Sequence, residues 1–358
     1  MDMMRVTMVV MVLLAMVAFH AQAIDIPKLR DIAAKSNMTS LYVFGDSGVD
    51  SGNNNHLATT HKGNFPPYGE DFFHGQPTGR FTNGRLATDF IAEAIGYTKV
   101  VRPFLDPSIQ KVDLLHGVSF ASGGSGYDDL TANFSQVLSF GHQLEYFKKY
   151  KVKLTQLVGD KQAAEIVKNG LYIVHMGTND FLENYFVETT RSEQFTVEEY
   201  QIYLISCMSR YIQAMHKLGA RRLVVVGLQA LGCIPLVKTL KDTNECDPTY
   251  NSVAFSFNSK MKQKLATLTA SLGMKHIFVD AYSITANVIK NPTRYGFKVT
   301  SKGCCGTGTV EFGPTCRGLS TCANRTEYVF WDAVHPTEKM HKIIADEAIR
   351  GFSSTGLV

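Results

Sequence analysis

The chain has 358 residues, 45% of them hydrophobic and 19% charged, with a formal net charge of +4. This is an ordinary globular composition with material for a large apolar core, and by length alone it allows about two domains. So small a charge argues against nucleic acid or an anionic membrane surface as the main partner, since both demand clustered Lys and Arg.

The chain opens with a short head carrying one Arg, Met1 to Arg5, then an apolar run from Val6 to Phe19, then Ala21-Gln22-Ala23. A short apolar run followed by a small-x-small site reads as a secretory signal peptide, residues 1–23, cut after Ala23. The alternative, an uncleaved anchor, needs a longer apolar run to cross a bilayer. The mature chain, residues 24–358, contains no repeat or long linker and is expected to form one domain.

Within it, short apolar runs alternate with helical patterns. Strands are predicted at Leu41–Phe44, Val118–Ala121, Leu171–Met176, Leu223–Val226 and Ile277–Val279. Between and after them, apolar residues recur at three- and four-residue spacing, which predicts helices at Ala87–Ile95, Gln143–Val158, Gln162–Asn169, Val197–Leu218, Tyr250–Leu272 and about Thr337–Phe352. Uniformly apolar strands alternating with helices imply an α/β fold, a three-layer α/β/α sandwich around a five-stranded parallel sheet. In such a sheet the functional loops lie at the C-terminal strand ends. Ser47, the pair Gly123-Gly124 and Thr178-Asn179-Asp180 follow the first three strands and should converge there.

Secretion makes the seven cysteines candidates for disulfides. Cys233 and Cys246 flank a short polar loop and can pair. Cys304, Cys305, Cys316 and Cys322 allow three pairings; adjacency disfavours a 304–305 bond. Cys207, within a helical pattern, is left as a buried thiol. The same four lack CxxC spacing, which disfavours zinc. Asn37, Asn133 and Asn324 begin N-x-S/T sequons and are candidate glycosylation sites.

A serine hydroxyl is a weak nucleophile that needs a base and donors for the developing oxyanion. Asp332 and His335, in Trp331-Asp332-Ala333-Val334-His335-Pro336, are three residues apart. One turn can present both, Asp332 fixing the His335 tautomer and His335 accepting the Ser47 proton. The Ser47 and Gly124 amides and the Asn179 side chain can supply an oxyanion hole.

These residues lie in blocks that resemble the GDSL, or SGNH-hydrolase, family, and its plant esterase/lipase branch in particular. The blocks are Phe44-Gly45-Asp46-Ser47, Asp50-Ser51-Gly52-Asn53-Asn54-Asn55, Phe65-Pro66-Pro67-Tyr68-Gly69, Gly79-Arg80-Phe81, Ser122-Gly123-Gly124-Ser125-Gly126, Gly177-Thr178-Asn179-Asp180 and Trp331 to Pro336, in that order. The resemblance implies a flavodoxin-like hydrolase domain with Ser47 as nucleophile, His335 as base and Asp332 as its orienter. It also implies Ser47, Gly124 and Asn179 as oxyanion donors, although either glycine of the 123–124 pair could donate. It implies hydrolysis of carboxylic esters, lipid or small-molecule, by a secreted glycoprotein without metal or cofactor. An acyltransferase using the same residues and a non-catalytic binding protein are the alternatives. Two positions depart from the pattern: Gly48 stands where the family name has Leu, and Ser119 stands where Asn is common.

Other residues read as structural. His175 falls in a strand and is expected as a core or edge histidine. His341, on the last helix, is expected to be solvated. Asp180 is expected to bind backbone amides at a helix start. Asn53 to Asn55, Arg80 and Arg85 are expected to be loop scaffolding. No G-x-S-x-G motif is present, and Asp129 occupies the third-glycine position of a dinucleotide loop at 124–129.

Overall fold

The computed structural model describes residues 25–355 and 357. The predicted signal peptide, residues 1–23, lies outside the described residues.

Strands β1 (Leu41–Gly45), β2 (Leu171–His175), β3 (Arg222–Val226) and β4 (Lys275–Val279) form a parallel sheet in that order. Successive side chains point to opposite faces. Tyr42 and Phe44 therefore enter one core, and Leu41 and Val43 the other. The helices that frame the sheet are α1 (Ile26–Lys35), α2 (Ala87–Ala94), α3 (Asp129–Ser135), α4 (Phe140–Val158), α5 (Val197–Leu218), α6 (Pro248–Leu272) and α7 (Glu338–Thr355). The sequential strand order sends α4, α5 and α6, as crossovers of one hand, onto the same face. The second face is covered by α1, α2 and α7, the helices nearest the chain ends. The layers are those of the expected sandwich.

Helix bounds follow local chemistry. Thr196 caps α5 and forms a capping box with Glu199, and Gly219, left-handed, ends it. Asp247 caps α6, whose first residue is Pro248. Ser139 caps α4, which starts before the predicted Gln143.

The fifth strand is a correction. Val118–Ala121 lies beside β1 and exchanges backbone hydrogen bonds with it, Val43 N–H to Val118 C=O at 3.2 Å and Phe120 N–H to Val43 C=O at 2.7 Å, but its residue pairings are isolated bridges, Val43 with Ser119 and Pro103 with Ser119, and not a continuous strand. Buried side chains bond the backbone on both sides of this segment. The Gln143 amide accepts from Gly45 N–H and donates to Gly45 C=O, each at 2.9 Å. On the outer side, Asn53 Nδ2 donates to the carbonyls of Ser119 and Ala121 at 2.9 and 2.8 Å. The described sheet therefore has four strands, not five. A second, two-stranded parallel sheet, unforeseen in the sequence, pairs β5 (Val299–Gly303) with β6 (Tyr328–Phe330).

Disulfides join Cys233 to Cys246, Cys304 to Cys322 and Cys305 to Cys316. Cys207 is the buried free thiol. Cys304, Cys305 and Cys316 pack with Phe65, Tyr68, Phe81 and Trp331 in a third, smaller core. That core lies against the loop carrying Asp332.

Candidate active site

Ser47 sits in the turn after β1. The turn is closed by Val49 N–H donating to Asp46 C=O at 3.2 Å, and by Gly48 N–H donating to the Asp46 carboxylate at 3.0 Å. After β6 the chain turns back on itself, with Trp331 N–H donating to His335 C=O at 2.7 Å. This brings His335 Nε2 to 2.9 Å from Ser47 Oγ, across 288 residues of sequence. On the other side of the ring, Nδ1 is 2.7 and 3.0 Å from the two Asp332 oxygens. A carboxylate only accepts, so Nδ1 carries the proton and Nε2 is left to accept from the serine.

Asp332 is fully buried, and burying a carboxylate is costly unless donors replace its water. Its Oδ1 accepts from the Val334 and His335 amides at 2.8 and 2.7 Å, and its Oδ2 from the Tyr68 hydroxyl at 2.7 Å. Tyr68 itself accepts from Gly313 N–H at 2.7 Å. Burial, and next the Asp332 charge, push the Tyr68 phenol well above its usual range, so it stays a donor. The disulfide-bonded loop thereby reaches Asp332 through one phenol. The Phe81 ring stacks on His335 with centroids 5.1 Å apart. Tyr68 belongs to the Phe65-to-Gly69 block, and nothing local there marks it as a partner of Asp332, 264 residues away.

The oxyanion candidates converge on the same place. Gly124 and Asn179 line one cavity with Ser47 and His335. Gly123 N–H is committed to Asp50 Oδ2 at 3.1 Å, whereas the Ser47 and Gly124 amides have no hydrogen-bond partner among the described residues. Gly124 has φ +89°, and a Cβ there would meet Ser135 at 2.9 Å, so the position requires glycine. Asn179 Nδ2 donates one hydrogen to Ser125 C=O at 2.9 Å and keeps the other.

Expected scaffolding behaves as such. Asn54 Nδ2 donates to Gly123 C=O at 2.9 Å, so it steadies the Gly123-Gly124 turn. Arg80 is buried in a two-bonded pair with Asp89, 2.9 Å on each arm, where removing one partner would strand a charge at about 3–5 kcal/mol. Arg85 pairs with Glu93 and Glu338. Asp180 accepts from the Tyr127 and Asp128 amides at 2.8 and 3.1 Å, at the start of α3. Ser119 replaces the common Asn with weaker 3.3 Å contacts to Val49 and Ala121.

Of two further histidines near Ser47, one is as expected and one is not. His175 lies in β2 as expected, ending it one residue before the predicted bound, and its ring lies beside the Ser47 turn, with Nδ1 3.3 Å from Asp46 Oδ1. A Cβ at Gly48 would meet that ring at 2.4 Å, so the departure at Gly48 and the histidine at 175 are two halves of one packing solution. His341, expected in solvent, is only 4% exposed. Helix α7 packs against α2 and β4, which turns this position inward. Both histidines line a narrow chamber of ≈ 60 Å³ beneath Ser47, with Ile344 and Ala348. Among the described residues no cluster of His, Cys, Asp and Glu is arranged to hold a metal ion.

The family model for GDSL-like lipase/acylhydrolase matches residues 41–348. A GDSL esterase/lipase of Arabidopsis thaliana is 52% identical over 336 residues, 94% of each chain. A second from the same plant is 42% identical over 312 residues, 86% of this chain and 89% of its own. Among solved structures, a goat-rumen metagenome lipase aligns with 90% of this chain and 100% of its own, at a TM-score of 0.43 and 12% identity, too weak a likeness to build on.

Proposed function

The chain belongs to the GDSL-like lipase/acylhydrolase family, and from that premise we propose that it is a secreted serine esterase or lipase that hydrolyses carboxylic esters through an acyl-enzyme on Ser47. The observation that carries this reading is the unbroken relay from Ser47 Oγ to His335 Nε2 at 2.9 Å and from His335 Nδ1 to Asp332 at 2.7 Å.

Ser47 Oγ attacks the ester carbonyl carbon while its proton passes to His335 Nε2. The carbonyl oxygen becomes an oxyanion held by the Ser47 and Gly124 amides and the free Asn179 hydrogen. The tetrahedral centre collapses, the C–O bond to the alcohol breaks, and Nε2–H protonates the departing oxygen. Water then attacks the acyl-serine, giving its proton to Nε2, and Ser47 is regenerated with release of the acid. Throughout, Asp332 holds Nδ1–H and stabilises the imidazolium. An alcohol admitted in place of water would make the same residues an acyltransferase, and the ratio of free acid to new ester reads which acceptor wins.

Residues 24–358 act as one catalytic domain in this reading. The three sequon asparagines, Asn37, Asn133 and Asn324, are all exposed, and the three disulfides suit an oxidising compartment, which supports export. Among the described residues no helix is long and apolar enough to cross a membrane.

The test is covalent. The folded protein should be labelled by a fluorophosphonate and should hydrolyse p-nitrophenyl acetate, and Ser47→Ala should lose both, the turnover by on the order of 10⁴-fold or more. A folded wild-type protein that labels no better than Ser47→Ala overturns the reading.

A further inference from the structure

Ser47 opens on two spaces of unequal size. The narrow chamber, ≈ 60 Å³, is walled largely by aliphatic side chains. The wider cavity, ≈ 300 Å³, has Ser47, Gly124, Asn179 and His335 at its reactive end and apolar walls that include Phe81, Val187 and Phe312. His61, Glu183 and, beside Val187, Glu188 interrupt that apolar lining, of which His61 and Glu183 are linked.

These two belong to one cluster. Ser135 Oγ lies 3.3 Å from His61 Nε2, and 3.2 and 3.3 Å from the two Glu183 oxygens. Ser135 also fills the space that a Gly124 side chain would take. The cluster therefore abuts the amide assigned to the oxyanion, yet no step of the acyl-enzyme chemistry uses it. Glu183 has Ser135 as its only hydrogen-bonding side chain among the described residues, which leaves acceptor capacity facing the cavity. Burial, opposed by the Ser135 bond and aided by Glu188, pushes its carboxyl up to about 7, so it can exchange between accepting and donating near neutrality.

Resting on the ester-hydrolase reading above, we propose that His61 and Glu183 form the subsite for the alcohol half of the ester, and that this alcohol carries further hydroxyl groups, as polyols and sugars do. Size assigns the halves: the narrow chamber admits only a short acyl group, so the larger, hydroxylated half takes the wider cavity. Chemistry assigns the class. A hydroxyl both donates and accepts, and a carboxyl poised near neutrality matches it: the single Ser135 hydrogen is already given to Glu183, and Glu183 accepts from a substrate hydroxyl when ionised and donates to it when protonated. A cationic alcohol would instead need Glu183 held fully ionised, against the burial that raises its carboxyl.

The experiment compares acetyl esters of matched carbon skeleton, glycerol monoacetate and propyl acetate, with acetylcholine as the cationic arm. Wild-type kcat/KM should favour glycerol monoacetate over propyl acetate by about tenfold or more, the worth of one or two hydrogen bonds to a charged or polar group. Glu183→Leu should cut that ratio about tenfold, mainly through KM, and Glu183→Gln should keep most of it. If circular dichroism shows Glu183→Leu unfolded, His61→Phe carries the same expectation. A wild-type ratio near one, a preference for acetylcholine, or a ratio unmoved in the folded variants overturns the subsite. Equal turnover of all three esters sinks only this inference, whereas no turnover and no fluorophosphonate labelling sinks the underlying esterase reading.

Discussion

His335 and His341 are six residues apart in the C-terminal stretch, both are nearly buried, and both line the chamber beneath Ser47. Asp332 grips His335 at Nδ1, and its other ring nitrogen meets the serine hydroxyl. His341 has no carboxylate partner among the described residues, and burial, reinforced by His175 and His335, pushes its imidazole down to about 3. A ring held neutral so firmly is a poor proton acceptor at physiological pH. Nearness to Ser47 therefore does not by itself suit a histidine to the role proposed for His335; a buried acceptor on the far nitrogen and alignment on the near one do.

The strongest way to break this contrast is Asp332→Asn. The amide should lose hold of the Nδ1 tautomer and reduce kcat on the order of 10³–10⁴-fold, with the melting temperature recorded alongside. A loss below tenfold in a folded protein would put His335 on the same footing as His341. Tyr68→Phe sharpens the contrast more gently. It removes one donor to Asp332 and the acceptor of Gly313 N–H, so kcat should fall about tenfold with KM little changed. An effect confined to KM would mean that Tyr68 shapes the cavity instead of supporting the carboxylate.

The smallest effect concerns stability. The folded His341 pKa lies below its unfolded value of about 6.5. As pH falls through that value the unfolded chain takes up a proton the buried ring refuses, so His341 removes stability from about pH 6.5 downward. At pH 5 the loss is on the order of 2 kcal/mol. Urea unfolding at pH 7 and pH 5 should therefore show a smaller drop for His341→Gln than for the wild type. Equal drops would mean that the ring protonates freely in the folded state.

Much of the site was legible because it is written in short blocks that end strands. Gly45-Asp46-Ser47 and Gly177-Thr178-Asn179 follow apolar runs, and a parallel sheet brings such ends to one edge whatever the rest of the chain does. Asp332 and His335 were legible because one turn satisfies their contact. The three-layer architecture followed from alternation of apolar strands and amphipathic helices. The fifth strand was overread because an apolar run carries no sign of how far its partner's ladder will extend; here the Gly45 N–H at the end of β1 goes to Gln143, nearly 100 residues away. His341 was misread because helical spacing identifies a face without saying what packs on it.

Two features mark the boundary. By itself the sequence determined which residues meet at the proposed site, Ser47, Asp332 and His335, the glycine pair and Asn179, because each owes its place to a local turn or the end of an apolar run. Only the tertiary structure decided what surrounds them. Tyr68 reaches Asp332 across 264 residues, and Gly48 lacks a side chain because His175, from the neighbouring strand, occupies that space. Contacts between segments so distant depend on how the layers close, and close packing, unlike strand periodicity, leaves no pattern in a single chain.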